Sequence, residues 1–221
     1  IACPGPLDSK TGLVLNPPNL KIFHNINFKK ELNKYFRIEN IYIENDANIY
    51  TKGFYYKLNN YNINDVVLGI TLGTGIGFGI IINGKLFNGS YGMAGEYEFS
   101  PLNNDLTWAD LIGYIFFKNI TNEKCNKDIS PRELFDLAEK KNNKALKIWE
   151  TYGNNIGLCL SHVVSLINPN YISIGGGISK ANKYFHKFII KKIKEKCIIY
   201  NEKLINISYD NDGSNIYYGW F

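Results

Sequence analysis

The hydrophobic pattern is clearest in the middle of the chain, where short apolar runs alternate with glycines. Val66–Leu72 and Phe78–Ile82 are rich in β-branched and aromatic residues, and Asn83-Gly84 closes the second run. Such runs are typical of strands, and Asn-Gly is a strong signal for a two-residue hairpin turn. We therefore predict a strand, a loop, a second strand, a tight turn and a third strand over Lys85–Phe87.

Helical spacing, with apolar residues three or four positions apart, predicts five helices. One helix begins after Asn27, a second spans 47–58 and a third begins after Ser130. The fourth spans 145–167, and the fifth begins after Gly177. Ser130, Pro131 and Glu133 match a capping box with proline at the first helical position. In the fourth helix, Gly153 and Gly157 allow either the close packing of a neighbouring helix or a break.

Three more apolar runs predict short strands, at Ile1–Cys3, Ile41–Ile43 and Tyr171–Ile174. Because helices and strands alternate along the chain, we predict an α/β protein. The strand at Ile41–Ile43 leads into Glu44-Asn45-Asp46-Ala47, so the carboxylate of Asp46 lies where a strand ends. Residues 59–62 are interpreted as a linker before the central hairpin.

Two glycine turns are candidate contacts for phosphate groups. Gly73, Gly75 and Gly77 lack the Cβ atoms that would keep a phosphate away from main-chain N–H groups, and Thr74 adds a hydroxyl. No helix follows this loop, in contrast to a dinucleotide-binding or Walker loop. The second turn, Gly175–Gly177, connects a strand to a helix. A bulged hairpin and a tight connection, both without a ligand, remain the alternative interpretations.

Composition narrows the classes of function. The chain has 221 residues, of which 45% are hydrophobic and 20% charged, as expected of a globular protein of one or two domains. The net charge is +5, but Arg37 and Arg132 are the only arginines. Because bidentate guanidinium contacts are therefore scarce, we expect no nucleic-acid partner.

The residues that most often bind metals are scattered along the chain. Four cysteines and three histidines show no ligand spacing, so we predict reduced thiols and no metal site. His162 lies in an apolar helical stretch, which favours a packing role. No apolar run approaches the roughly 18 residues of a membrane span, and we predict a cytoplasmic protein without a membrane partner.

Six motifs occur in an order that resembles the ROK family of sugar kinases, which includes glucokinase-like proteins. They are C-P-G-P-L-D (3–8), P-N-L (18–20), E-N-D-A-N (44–48), L-G-T-G-I-G-F-G-I-I-I-N-G (72–84), A-G-E (94–96) and I-G-G-G-I-S (174–179). The resemblance implies an actin-like ATPase (ribonuclease H-like) fold, with two α/β domains that close on ATP and a hexose in the cleft between them. Residues 1–64 would be the remainder of the small domain, and residues 65–221 the large domain.

The resemblance also implies roles for individual residues. Asp46 would be the general base that accepts the proton of the sugar 6-hydroxyl, although aspartate is also a common helix N-cap. Asn45 and Glu96 would bind sugar hydroxyls. The ATP phosphates would lie on Gly73, Thr74, Gly75 and Gly77, with Gly176 and Gly177 near the adenosine. Mg²⁺ would be carried by the nucleotide.

The sequence departs from the family pattern at three places. Phe99 stands where many members have a histidine, and residues 103–108 replace the cysteine-rich zinc segment, so we predict no zinc. A second sugar-binding glutamate is replaced near Trp108–Asp110, which leaves the preferred hexose open. The family's Asp-x-Gly-Gly-Thr phosphate loop would precede Ile1. We therefore expect the sequence to begin inside the small domain, and a chain that begins there could be inactive by itself.

Two functions remain open at this point. The first is an ATP-dependent hexose kinase that phosphorylates the 6-hydroxyl of glucose or a related sugar. The second is a non-catalytic, sugar-sensing transcriptional regulator of the same family, with a helix-turn-helix upstream. Asp46 beside Asn45 favours the kinase. A degenerate fragment that binds neither ligand is a third alternative, and a homodimer is a possible assembly.

Overall fold

The structure is a computed structural model. It describes residues 1–15, 17, 20–36, 40–59, 61–103, 105–201, 203 and 205–220. Pro18 and Asn19 of the P-N-L motif, Arg37, Asn60 of the expected linker and Asn104 lie outside the described residues. Within the described part of the chain, no helix is both long and apolar enough to cross a membrane.

The described residues form a mixed α/β protein. The strands are β1 (Ala2–Cys3), β2 (Leu7–Asp8), β3 (Leu13–Val14), β4 (Ile26–Asn27), β5 (Glu44–Asn45), β6 (Val67–Leu72), β7 (Ile76–Ile82), β8 (Lys85–Leu86), β9 (Tyr171–Gly175) and β10 (Asn206–Tyr209). The α-helices are α1 (Phe28–Tyr35), α2 (Asp46–Lys57), α3 (Trp108–Ile112), α4 (Tyr114–Cys125), α5 (Pro131–Glu139), α6 (Asn143–Ile167), α7 (Asn182–Lys196) and α8 (Asn215–Tyr218).

The chain divides into two compact units that do not follow a single cut in the sequence. Unit 1 contains Ile1–Gly69, Gly77–Tyr97 and Ser214–Phe221, and unit 2 contains Ile70–Ile76 and Glu98–Gly213. The strands β6 and β7 therefore contribute residues to both units. The expected division into residues 1–64 and 65–221 stays a prediction.

In unit 1, short strands position the start of α2. β1 pairs in parallel with β5, and Cys3 lies opposite Asn45. β2, β3 and β4 form an antiparallel sheet in that order, and a small core of Cys3, Leu7, Val14 and Ile43 lies beneath these elements. The helix α2 follows β5 directly, so the β5–α2 junction is anchored by a buried core.

The glycines of unit 1 let α2 lie directly on its neighbours. A Cβ atom at Gly69 or Gly79 would overlap the hydroxyl of Thr51, and one at Gly53 would overlap the carbonyl oxygen of Asn215 in α8. Thr51 is itself held because its hydroxyl donates to the Ala47 carbonyl at 2.6 Å. Side chains at these three glycines would push α2 away.

In unit 2, β9 pairs in parallel with β10, and β6 is the next strand in the order of that sheet. The long helix α6 packs on α7 through glycine. A Cβ atom at Gly153 would lie 2.5 Å from the Phe185 carbonyl oxygen, and one at Gly157 would lie 2.8 Å from that of Ile189. Of the two alternatives for these glycines, close helix packing is therefore the correct one. The helix ends at Ile167, and its C-cap, Asn168, adopts a left-handed conformation before Pro169.

Most predicted elements are present. The hairpin is confirmed, and Asn83 and Gly84 both have positive φ, at 53° and 71°, as its tight turn requires. The five predicted helices correspond to α1, α2, α5, α6 and α7, and α5 begins with the predicted capping box. The strand expected at Ile41–Ile43 is wrong in its bounds. The strand is formed by Glu44 and Asn45, because these two residues pair with Ala2 and Cys3 of β1.

Candidate functional site

The junction of β5 and α2 in unit 1 is built by Asn45. Its side-chain Oδ1 accepts the N–H groups of Ala47 at 2.8 Å and Asn48 at 3.2 Å, so Asn45 is the N-cap of α2. Asp46 is the first helical residue. The alternative that Asp46 serves as the N-cap is therefore wrong, because the residue before it fills that position. Because Oδ1 accepts these two N–H groups, the Asn45 side chain would contact a ligand through Nδ2.

Asp46 has a partly desolvated carboxylate at the N-terminal end of a helix. Burial raises the pKa of the Asp46 carboxyl above its ordinary value, while the Ala47 N–H donated to Oδ1 at 2.9 Å acts in the opposite direction. A raised pKa makes a carboxylate a better proton acceptor. Burial also raises the pKa of the Cys3 thiol, and the nearby charge of Asp46 adds to that effect.

Gly5 is where two of the predicted sugar-binding residues meet. A Cβ atom at Gly5 would lie 2.6 Å from Nδ2 of Asn45 and 2.5 Å from Oε1 of Glu96. The structure therefore brings Asn45 and Glu96 together over the same glycine, next to Asp46 in the chain. The role of Gly5 was not predicted, although a glycine between Pro4 and Pro6 is a signal for a special turn.

A polar network in unit 1 that the sequence reasoning missed holds this junction. Oε1 of Glu44 accepts the Asn45 N–H at 2.9 Å and Nδ2 of Asn48 at 3.0 Å, and Oε2 accepts Nδ2 of Asn88 at 3.5 Å. Asn48 is buried, with 2% of its surface exposed. Because buried polar groups need partners, the network restricts how β5 and α2 can be oriented. The spacing of Glu44 and Asn48, four residues apart, was the available signal.

Glu96 follows a loop with unusual backbone geometry. Gly89, Tyr91, Gly92 and Gly95 all have positive φ. A Cβ atom at Gly92 would overlap the Leu7 carbonyl oxygen, and one at Gly95 would overlap that of Phe78. Glycine is therefore required immediately before Glu96, which explains the Gly in the A-G-E motif by packing in unit 1.

In unit 2, the turn after β6 is held mainly by main-chain bonds. The Gly73 N–H donates to the Gly75 carbonyl at 3.0 Å, and the Tyr114 N–H donates to the Thr74 carbonyl at 3.0 Å. A Cβ atom at Gly73 would meet nothing within 4 Å, so this face of the turn is open. Among the residues that the structure describes, the N–H groups of Thr74 and Gly75 have no protein acceptor. Such N–H groups are suited to an anion.

The N-terminus of α4 lies at the same turn. Tyr114 is the first residue of α4, and a Cβ atom at the preceding Gly113 would lie 3.0 Å from the Thr74 carbonyl oxygen. The amino end of a helix carries a partial positive charge. The turn in unit 2 therefore combines open main-chain donors with a favourable helix dipole.

The second glycine turn is in contact with the first. Gly176 has φ +88°, and a Cβ atom there would overlap the carbonyl oxygen of Leu72, the residue before Gly73. Gly177 is exposed, and a Cβ atom there would meet nothing within 4 Å. The structure thus brings Gly73, Thr74, Gly75, Gly176 and Gly177 together in unit 2. Gly77 is different, because it lies inside β7 and not in the turn.

His162 and the four cysteines are the other residues with potentially reactive side chains that the sequence analysis considered. The ring of His162 packs edge-on against Trp108 at a centroid distance of 5.4 Å, in agreement with the predicted packing role. The four cysteines are free thiols, and three of them are buried. No group of three potential metal ligands from histidine, cysteine, aspartate or glutamate occurs in the described ranges. A cavity of about 570 Å³ at the start of β9 and β10 contains none of the predicted site residues.

Comparison with known proteins finds one matching family and several relatives among sugar kinases. The profile of the ROK family matches residues 1–106 and 116–212. An N-acetyl-D-glucosamine kinase of Histophilus somni is 27% identical over 215 residues, which cover 88% of this chain and 69% of that protein. A glucokinase of Halalkalibacterium halodurans is 26% identical over 219 residues, 88% of this chain and 64% of that protein. The chain thus spans about two thirds of the length of these relatives.

A transcriptional repressor and a solved glucokinase structure are also similar to the chain. A xylose repressor of Caldicellulosiruptor bescii is 25% identical over 219 residues, which cover 88% of this chain and 53% of that protein. The crystal structure of a ROK family glucokinase from Streptomyces griseus, in complex with glucose and AMPPNP, has a TM-score of 0.84 at 23% identity and covers 99% of this chain and 78% of that chain. The predicted α/β class and actin-like ATPase fold are confirmed. With the family profile matched over most of its length, the chain belongs to the ROK family.

Proposed function

We propose that the protein is an ATP-dependent hexose kinase that transfers the γ-phosphoryl group to the 6-hydroxyl of glucose or a related sugar. The observation that carries this proposal is the partly buried Asp46 carboxylate, beside Asn45 and Glu96, which converge on Gly5. Phosphoryl transfer requires mainly positioning, charge neutralisation and an acceptor for the proton of the attacking hydroxyl. In unit 1, the Asp46 carboxylate is suited to accept that proton.

In this proposal the three polar side chains of unit 1 have separate tasks. Asp46 accepts the proton of the 6-hydroxyl, aided by its raised pKa. Asn45 donates through Nδ2, because its Oδ1 already accepts the two main-chain N–H groups of α2. Glu96 accepts hydrogen bonds from sugar hydroxyls, and an analogue without the hydroxyl would leave this carboxylate unpaired.

The turns of unit 2 would bind ATP. The N–H groups of Thr74 and Gly75 and the amino end of α4 would contact the phosphates, and Gly176 and Gly177 would lie on the adenosine side. Gly77 is retained as a weaker candidate from within β7. Mg²⁺ bound to the nucleotide would neutralise phosphate charge, and no zinc is proposed. The cytoplasm, where ATP is available, is the proposed location, and a homodimer remains a possible assembly.

A steady-state assay of the complete gene product tests the proposal. ADP release would be measured with Mg²⁺–ATP and, in turn, glucose, N-acetyl-D-glucosamine and N-acetylmannosamine. We expect turnover with at least one of these hexoses. Calorimetric binding of a sugar without turnover would instead support the sugar-sensing regulator, which the similarity to a xylose repressor keeps as the second candidate. Absence of both binding and turnover would contradict both functions.

A further inference from the structure

Glu98 contacts the glycine turn of unit 2 from outside the turn. Its Oε2 accepts the N–H of Ile76, the first residue of β7, at 2.9 Å. The same oxygen would lie 2.5 Å from a Cβ atom at Gly75, and the carboxylate carbon would lie 3.3 Å from it. The Glu98 carboxylate therefore occupies the space beside Gly75 while it binds the next residue.

This contact complements the main-chain bonds of the turn. Gly73 is held through its bond to the Gly75 carbonyl, and Thr74 through its bond from Tyr114. The hydrogen bond to Glu98 holds the peptide that joins Gly75 to Ile76, and the carbonyl of this same peptide accepts the Gly73 N–H. Rotation of that peptide would break the bond between Gly73 and Gly75, which closes the turn that carries the N–H groups of Thr74 and Gly75.

We propose that Glu98 is a positioning residue for the phosphate turn, which it braces through the Ile76 N–H, and that this brace requires glycine at position 75. The inference rests on the proposed function, because the ligand of the turn is taken to be nucleotide phosphate. The brace works through an acceptor oxygen. A carboxylate and a phosphate repel each other, so direct contact between Glu98 and the nucleotide is not part of the proposal.

The contact geometry predicts that Gly75 and Glu98 are coupled. The obstacle to a Cβ atom at Gly75 is the end of a flexible side chain, so Gly75→Ala would displace the Glu98 carboxylate and break its bond to Ile76. Once Glu98 is shortened to alanine, the same Cβ atom meets no obstacle from that side chain. The second substitution should then have little further effect, as expected for residues in direct contact.

A double-mutant cycle on the complete protein tests the coupling, with KM for Mg²⁺–ATP and KM for the sugar as separate readouts. We expect Gly75→Ala and Glu98→Ala each to raise KM for ATP about tenfold, and the double variant to resemble Glu98→Ala within about twofold. Glu98→Gln, which keeps an acceptor oxygen, should stay within about twofold of wild type. KM for the sugar should change less than about twofold in all four proteins.

Three results would overturn the brace. These are multiplicative effects of the two single substitutions, a Glu98→Gln variant as weak as Glu98→Ala, or an equal rise of both KM values. Glu133→Ala is the matched control, because Glu133 also accepts a main-chain N–H, from Ser130 at 2.9 Å, at the start of α5. This control should leave KM for ATP unchanged.

Hydrogen exchange of the Ile76 amide separates failure of the brace from failure of the proposed function. Measured without any ligand, exchange of this amide should be at least about fivefold faster in Glu98→Ala than in wild type or Glu98→Gln. Unchanged exchange would overturn the brace even in an active kinase. Faster exchange in a protein that binds no Mg²⁺–ATP would support the brace and contradict the proposed function.

Discussion

The candidate site of unit 1 and that of unit 2 are built from different parts of the chain. In unit 1 the contacts are made by side chains. Those of Glu44 and Asn45 accept main-chain N–H groups, and that of Glu96 lies over Gly5. In unit 2 the turn is made of backbone, and glycines leave its donors open. This contrast matches the ligands proposed for them. Sugar hydroxyls are recognised by placed acceptors and donors, and phosphates by clustered N–H groups.

The difference also predicts how each region responds to mutation. A site of side chains should be sensitive to a change of charge that preserves shape, such as Asp to Asn. A site of main chain should be indifferent to charge and sensitive to an added Cβ atom.

The largest effect should come from a change of charge in unit 1. Asp46→Asn keeps the shape of the side chain but removes the proton acceptor, and kcat of the complete protein should fall by at least about 100-fold. The measurement is the ADP-release assay at saturating sugar and Mg²⁺–ATP. Asp128→Asn, at an exposed aspartate, is the matched control. A value of kcat within about threefold of wild type would contradict the role of Asp46.

In unit 2, two adjacent glycines should respond differently to the same substitution. Gly176→Ala adds a Cβ atom against Leu72 at a position with φ +88°. It should lower the free energy of unfolding by about 1–3 kcal/mol and raise KM for ATP more than about tenfold. Gly177→Ala meets no obstacle and has no positive φ, so stability should hold or rise slightly.

The Gly177 variant therefore isolates the ligand contact. If the open face near Gly177 contacts the nucleotide, Gly177→Ala should raise KM for ATP without lowering the melting temperature. Thermal unfolding and KM, measured on both variants, decide this point. Equal loss of stability in the two variants would contradict the difference that the structure shows between these glycines.

A smaller effect is expected at Glu96. Glu96→Gln removes the negative charge but keeps an oxygen acceptor, which should raise KM for the sugar about tenfold and leave KM for ATP unchanged. The matched control is Glu31→Gln, at a glutamate that pairs with Lys34 on the surface of α1. If KM for ATP rose as much as KM for the sugar, Glu96 would not be a specific sugar contact.

The smallest effect concerns stability and pH. Burial raises the pKa of Asp46 in the folded protein, so the folded state binds a proton more tightly than the unfolded state. The contribution of Asp46 to stability is therefore most favourable at low pH and is lost as pH rises through the folded pKa. At pH 7, Asp46→Asn should raise the melting temperature. The difference from wild type should shrink as pH falls toward the ordinary aspartate value, and a lower melting temperature at pH 7 would contradict it.

Much of the fold could be predicted because its signals are local. The Asn83-Gly84 turn, the Ser130 capping box and the apolar spacing of α6 each specify an element within a few residues. The shortest elements, such as β2, β3 and α8, were not predicted, since two to four residues show no periodicity. The bounds of β5 were wrong because pairing with β1, about forty residues away in sequence, decides which residues form the strand.

The candidate site was predictable only in part, for the same reason. Motifs identified Asn45, Asp46, Glu96 and both glycine turns as candidates. The sequence could not show that Asn45 caps α2 with one side of its amide, or that Glu44 joins Asn48 and Asn88. Nor could it reveal Glu98, whose contact with Ile76 joins residues 22 positions apart.

By itself the sequence determined the family, the order of the main elements and the identity of the candidate residues, since these depend on motifs and on spacing along the chain. The tertiary structure alone decided which of those residues meet. Gly5 lies beneath Asn45 and Glu96, Gly176 lies against Leu72, and Gly75 lies against Glu98. Each of these contacts joins distant segments, and whether a glycine serves a ligand or a close packing contact depends on which atoms occupy the space where its Cβ would be.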